Sequence, residues 1–159
     1  MAKTIAFRFL FLAGAIGLLA AATAEAAGPF QFFSVTPCRI VDTRNPTGVT
    51  GGPALTAGTP RNFPIDVAPA ACGVPNTAKA AVLNVTLVAP SADGFLLIWP
   101  YLTSMPTVST INAAAGEPAI ANGAIVPLTA DAFFNISLVY GTAVPGTAHV
   151  ILDVTGYFQ

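Results

Sequence analysis

Charge is what this sequence has least of. Only 8% of its 159 residues are Asp, Glu, Lys or Arg, against about 25% in an ordinary soluble domain. Six basic and seven acidic residues leave a formal net charge of −1. With no basic stripe to neutralise a phosphate backbone, nucleic acid is excluded as a partner. No run of like charge suggests a polyelectrolyte tail or an anionic-lipid patch. Catalytic signatures are equally scarce. There is no Gly-x-Ser-x-Gly elbow, and the single His, His149, is the one possible base for a serine or cysteine nucleophile. Neither His-Glu-x-x-His, nor paired Cys-x-x-Cys, nor an Asp-rich calcium loop occurs, so no metal and no cofactor is expected. His149 and Asp153 would meet on a helix, but on a strand they stand ~13 Å apart, and His149 reads as a strand-end residue.

Apolar residues, in contrast, make up 54% of the chain, and many sit at its start. Lys3 and Arg8 precede an uncharged stretch from Phe9 to Ala24, shorter than the ~20 residues that span a bilayer, and small residues follow at Ala22, Ala24 and Ala26. Residues 1–26 therefore read as a secretory signal peptide, and residues 27–159 as one secreted domain without a membrane anchor. A domain of roughly 130 residues buries enough surface to hold its own core. Its charges would be Arg39, Arg44, Arg61 and Lys79 against Asp42, Asp66, Asp93, Glu117, Asp131 and Asp153. In an oxidising compartment the two cysteines, Cys38 and Cys72, are expected to form a disulfide. The rival reading, a catalytic thiol, would need His149 as its neighbour.

No helical period extends beyond a turn in this region. All fourteen Pro and twelve of the fourteen Gly fall here and cut the apolar material into short pieces, the punctuation of an all-β chain. The predicted strands are Phe30–Val35, Arg39–Thr43, Arg61–Val67, Ala80–Val88, Gly94–Trp99, Thr107–Asn112, Ala124–Leu128, Phe133–Tyr140 and Ala148–Phe158. Turns are predicted at 45–48, 51–53, 91–94, 116–118, 122–123 and 144–146. About nine strands in this length suit an antiparallel β-sandwich, jelly-roll or immunoglobulin-like, better than a barrel.

Three segments share one pattern: Leu83-Asn84-Val85-Thr86, Phe134-Asn135-Ile136-Ser137 and Leu152-Asp153-Val154-Thr155. With a period of two, the apolar members face a core and the polar members face away. If the three strands are neighbours, Asn84, Thr86, Asn135, Ser137, Asp153 and Thr155 form a polar ladder. That face is either a solvated sheet surface or a ligand face for a glycan or for a second copy of the chain. Phe95, Trp99 and Tyr101 could add a ring platform, with core filling as the competing reading for Phe95 and Trp99. In Pro37-Cys38-Arg39-Ile40-Val41-Asp42-Thr43-Arg44, Asp42 and Arg44 share a strand face. Arg39, Asp42, Arg44 and Asp153 are expected to form a structural charge network, with a carboxylate or sugar-acid site as the alternative. Asp42 and Asp153 are also the carboxylates flanked by apolar strand residues, where burial could raise a pKa as a glycosidase requires.

The segment Pro37 to Arg44, followed by Cys72-Gly73-Val74-Pro75, Leu83-Asn84-Val85-Thr86, Trp99-Pro100, Ser109-Thr110-Ile111-Asn112, Ala121-Asn122-Gly123 and Asp153-Val154-Thr155-Gly156-Tyr157-Phe158, resembles a family of uncharacterised bacterial secreted proteins. The resemblance covers nearly all of the chain after the leader. It implies an exported, envelope-associated β-domain with no catalytic residues to carry over. The expected role is therefore a non-catalytic structural or adhesive domain, secreted or at the cell envelope. A glycan-binding module is the alternative and a small glycosidase using Asp42 and Asp153 a distant third. The expected partners are the chain itself or a cell-surface glycan. Export followed by strand exchange through Phe30–Phe33 is one expected route to assembly.

Overall fold

The computed structural model describes residues 28–66, 72–130 and 133–159. The expected signal peptide, Val67 and Asp131 lie outside the described residues. No helix occurs among the described residues. Nine strands form two antiparallel sheets, as the sequence pattern implied: β1 (Phe32–Asp42), β2 (Leu55–Thr56), β3 (Arg61–Phe63), β4 (Ala80–Val88), β5 (Gly94–Pro100), β6 (Ile111–Ala113), β7 (Ala119–Pro127), β8 (Ile136–Thr142) and β9 (Thr147–Phe158). One sheet has the order β1-β9-β4-β7, with β2 also pairing with β9. The other has the order β3-β8-β5-β6.

The core lies between the sheets, and period-two alternation puts it there. In β4, Leu83, Val85 and Leu87 point inward. Val150, Leu152 and Val154 of β9 lie beside them, and Phe63, Leu96, Ile136, Leu138 and Tyr140 face them from the second sheet. Asn84 points outward between buried neighbours. Tyr140 is fully buried and its hydroxyl donates to the carbonyl of Ala92, the partner that a buried phenol requires. Burial and the nearby Asp93 charge raise its pKa.

Four expectations change. The first two predicted strands are one: Pro37 does not break β1, because β1 is the last strand of its sheet and a proline on its free side removes no ladder bond. The register instead shifts between Ser34 and Cys38. Asn122-Gly123, predicted as a turn, lies mid-strand in β7, which pairs with β4 along all of its length. The predicted strand at 107–112 shrinks to β6 and that at 61–67 to β3, where Pro64 follows. Finally β2, two residues long, is too short to be legible as a pattern.

Two glycines mid-strand are covered by rings. A side chain at Gly141 would collide with the Phe95 ring and one at Gly156 with the Phe32 ring. Phe95 stands directly opposite Gly141 in the ladder, so a phenyl ring fills the space a side chain would have taken. Where the first strand meets the last, Phe32 packs against Phe158 and Phe33 stacks on Tyr157, with ring centroids 5.5 and 5.3 Å apart.

Candidate functional site

The most concentrated chemistry lies where the first strand meets the last. Arg39 is opposite Asp153 in the β1–β9 ladder. Its guanidinium grips that carboxylate in a fork, Nε to Oδ1 at 2.8 Å and Nη2 to Oδ2 at 3.1 Å. Between Arg39 and Val41 the register shifts again, and the extra residue re-phases the alternation. Ile40 and Val41 are then both buried in the core, and Asp42 emerges on the face that Arg39 occupies. Without the bulge, residues three apart would point to opposite sides of the sheet. Arg39 Nη1 lies 3.4 Å from Asp42 Oδ2. Arg44 closes the chain of charges, with its Nε 2.8 Å from Asp42 Oδ1, its Nη2 2.6 Å from Oδ2, and its backbone N–H donating to Oδ1 at 3.1 Å. The four residues Arg39, Asp42, Arg44 and Asp153 thus form one network.

Its electrostatics run against acid catalysis. Asp42 is 6% exposed, and burial alone would raise its pKa. The hydrogen bonds from Arg44, with the Arg44 and Arg39 charges behind them, outweigh that cost and hold the carboxyl at about 2. The raised pKa that a general acid requires is therefore not found at Asp42. The partners respond in kind: hydrogen bonding to Asp153 raises the Arg39 pKa, and hydrogen bonding to Asp42 raises that of Arg44. Next to the network, Thr43 is locked into β9. Its hydroxyl accepts from the Val150 N–H at 2.9 Å, donates toward the Val150 carbonyl at 3.3 Å and lies 3.1 Å from His149 Nδ1. His149, half-buried, is the third residue of β9 and stands opposite Val88, the last residue of β4.

Cys38, in β1, is bonded to Cys72, at a sequence separation of 34. The bridge fixes the segment ahead of β4 onto the same part of the first strand. The catalytic-thiol reading of these cysteines is thereby overturned.

The expected polar ladder is divided. Asn84 and Thr86 lie on β4, and Asn84 is opposite Asp153 on β9, so two of the three motifs do share a face. The third belongs to the other sheet. Asn135, just before β8, is 1% exposed. Its carboxamide oxygen accepts from the N–H groups of Ile65 and Asp66, at 2.6 and 3.2 Å, and its amide donates to the Thr129 carbonyl at 3.1 Å. Ser137 is buried and donates to Asn62 Oδ1 at 2.9 Å. The same polar-apolar alternation serves a solvated face in one sheet and buried hydrogen bonding in the other, a distinction that sequence period does not carry.

The ring platform is broken up as well. Trp99 is 7% exposed and packs with Leu97 and Val139 in a small cluster of its own, on the opposite face of β5 from Leu96. It is buried, though outside the main core, and presents no ring to a ligand. Tyr101 follows β5 and packs edge-on against Phe134. Phe95, expected in the core, is 38% exposed. With Asp93 and Asn112 it lines a hollow of about 600 Å³. Asn112 reaches this place through the β5–β6 register, where it stands opposite Phe95. No spacing in the sequence announces that neighbour.

Among the described residues, no group of three or more His, Cys, Asp or Glu could hold a metal ion, and no helix is long and apolar enough to cross a membrane. A disulfide and such a fold are compatible with an extracellular protein. Comparison with known families, with curated proteins and with solved structures finds no match to this chain, so function has to be read from the residues above.

Proposed function

We propose that the protein is a non-catalytic structural or adhesive β-domain, secreted or held at the cell envelope. One observation carries this reading: the densest set of charged groups in a charge-poor chain is committed to fastening the first strand to the last, with a disulfide beside it. Each carboxylate oxygen of Asp42 and Asp153 has a guanidinium partner, which favours rigidity over proton transfer. The test is fractionation of the native producer, with intact mass and thiol counting on the recovered protein. The expected result is a chain lacking about its first 26 residues, outside the cytoplasm and without free thiol. Full-length protein in the cytoplasm with two reactive thiols would overturn the proposal.

The hollow beside Phe95 favours a second reading, a glycan-binding module, because a half-exposed ring flanked by the Asp93 carboxylate and the Asn112 amide suits a sugar face and its hydroxyls. Titration with soluble envelope oligosaccharides discriminates between the two. Saturable binding that Phe95→Ala abolishes would put this reading first.

A further inference from the structure

We propose that β7 is an open edge through which two copies of the chain join their five-stranded sheets, antiparallel, about a two-fold axis at Gly123. The inference rests on the structural role proposed above and supplies its interface.

A sandwich has four edges, and proteins protect them against strand addition with short strands, bulges, proline and charge. Three of the four are protected here. The second sheet ends in β3 and β6, each of three residues. β1 carries Pro37, two register shifts and the charges of Arg39 and Asp42, with Arg44 in the turn that follows. The fourth edge, β7, has none of these devices except a proline at its last position. It is nine residues long, contains no charged residue, has no proline before its last position and pairs with β4 without a shift.

The direction of its free hydrogen-bonding groups follows from the ladder. Just outside the strand, the Pro118 carbonyl accepts from Ala89 and the Leu128 N–H donates to Lys79. The even-numbered residues therefore bond to β4, and Ala119, Ala121, Gly123 and Ile125 turn their N–H and C=O groups outward. Among the described residues, no strand lies on that side. The Asn122 side chain donates to the Thr110 carbonyl at 2.9 Å, which ties β7 to the other sheet and holds the edge in place. Ile125 is 64% exposed, and a side chain built at Gly123 would meet nothing.

The strand is complementary to itself. Full overlap about Gly123 places Ala119 opposite Pro127, Ile120 opposite Val126, Ala121 opposite Ile125 and Asn122 opposite Ala124. Every pair is uncharged, so two copies meet without repulsion. The missing N–H of Pro127 falls at the end of the new ladder. An isologous contact of this kind closes as a dimer and sets the exposed Ile125 against Ala121 of the second copy.

The test is sedimentation of the purified protein over a range of concentrations, comparing wild type with Ile125→Lys and, as a control for added charge at another exposed apolar site, Val144→Lys. Near-UV circular dichroism checks that each variant is folded. Dimerisation of wild type and Val144→Lys, weakened at least tenfold in Ile125→Lys, supports the edge. In a second arm, Gly123→Cys should oxidise to a covalent dimer while Val144→Cys does not. A wild type that stays monomeric at millimolar concentration overturns the proposal. So does assembly that Ile125→Lys leaves intact, or crosslinking no faster at position 123 than at 144. None of these outcomes alters the result of fractionation, so the envelope role and this interface fail separately.

Discussion

Asp42 has a consequence measurable with a pH meter. Its folded pKa is about 2 against an ordinary value of 3.8, so folding releases its proton more readily. The stabilisation is fully present above pH ~4 and is lost as pH falls through about 2, amounting to about 2 kcal/mol. The free energy of unfolding of wild type should therefore exceed that of Asp42→Asn by about this much at pH 7. The gap should close toward pH 2, and a gap that stays constant with pH would show that the network is not what holds the carboxyl down. Asn135 offers a second test. Replacement by Ala strands the Ile65 and Asp66 N–H groups and the Thr129 carbonyl, at about 3 kcal/mol, read from the urea midpoint. Asp42 with Arg44 could be paired from sequence by their two-residue spacing, although the pair closes in the turn that follows β1 and not on a strand face. Arg39 beside Asp42 depends on the bulge, and Asn135 is one of three similar polar residues in sequence, set apart only by the sheet it belongs to.

Strands, at the next scale, were legible where alternation was long. β4 occupies the predicted span and β9 differs by one residue, because both are long apolar segments in which alternation is clean through β4 and from Leu152 onward in β9. Where the sequence misled, local chemistry gave way to pairing. Asn-Gly is a strong hairpin signal, yet nine consecutive partners on β4 keep 122–123 extended. Pro37 interrupts a pattern without interrupting an edge strand. Trp99 could be judged buried from its type, but which face of β5 buries it could not. Truncating it should empty the small cluster with Leu97 and Val139, and Trp99→Ala is expected to cost about 3 kcal/mol. Emission of the native indole should be blue-shifted and poorly quenched, and ready quenching would contradict the packing.

The whole molecule is organised around its last strand. β9 pairs with β1, β2 and β4, so the five-stranded sheet is incomplete until the final segment arrives, and β1 waits for a partner more than a hundred residues away. The disulfide shortens that search. Closing a 34-residue separation stabilises the fold by about 4 kcal/mol in the chain-entropy picture. Reduction should then lower Tm on the order of 10 °C, and an unchanged Tm would mean that the reduced chain keeps the same contacts by other means. The β1–β9 pairing also decides how the molecule carries mechanical load. Gln31 and Gln159 exchange backbone hydrogen bonds at 2.8 and 3.0 Å, so a tension applied between them pulls at one end of an antiparallel ladder and opens it pair by pair, as a zip opens, rather than loading all its bonds in parallel. The opening runs through the Phe32–Phe158 and Phe33–Tyr157 pairs to Cys38, where the disulfide passes the load to Cys72 and leaves the residues between them, Arg39 and Asp42 included, outside the line of force. Under single-molecule pulling the oxidised protein should therefore reach a final extension shorter than that of the reduced protein by the length of the 38–72 loop, on the order of 100 Å. Equal final extensions would contradict this load path.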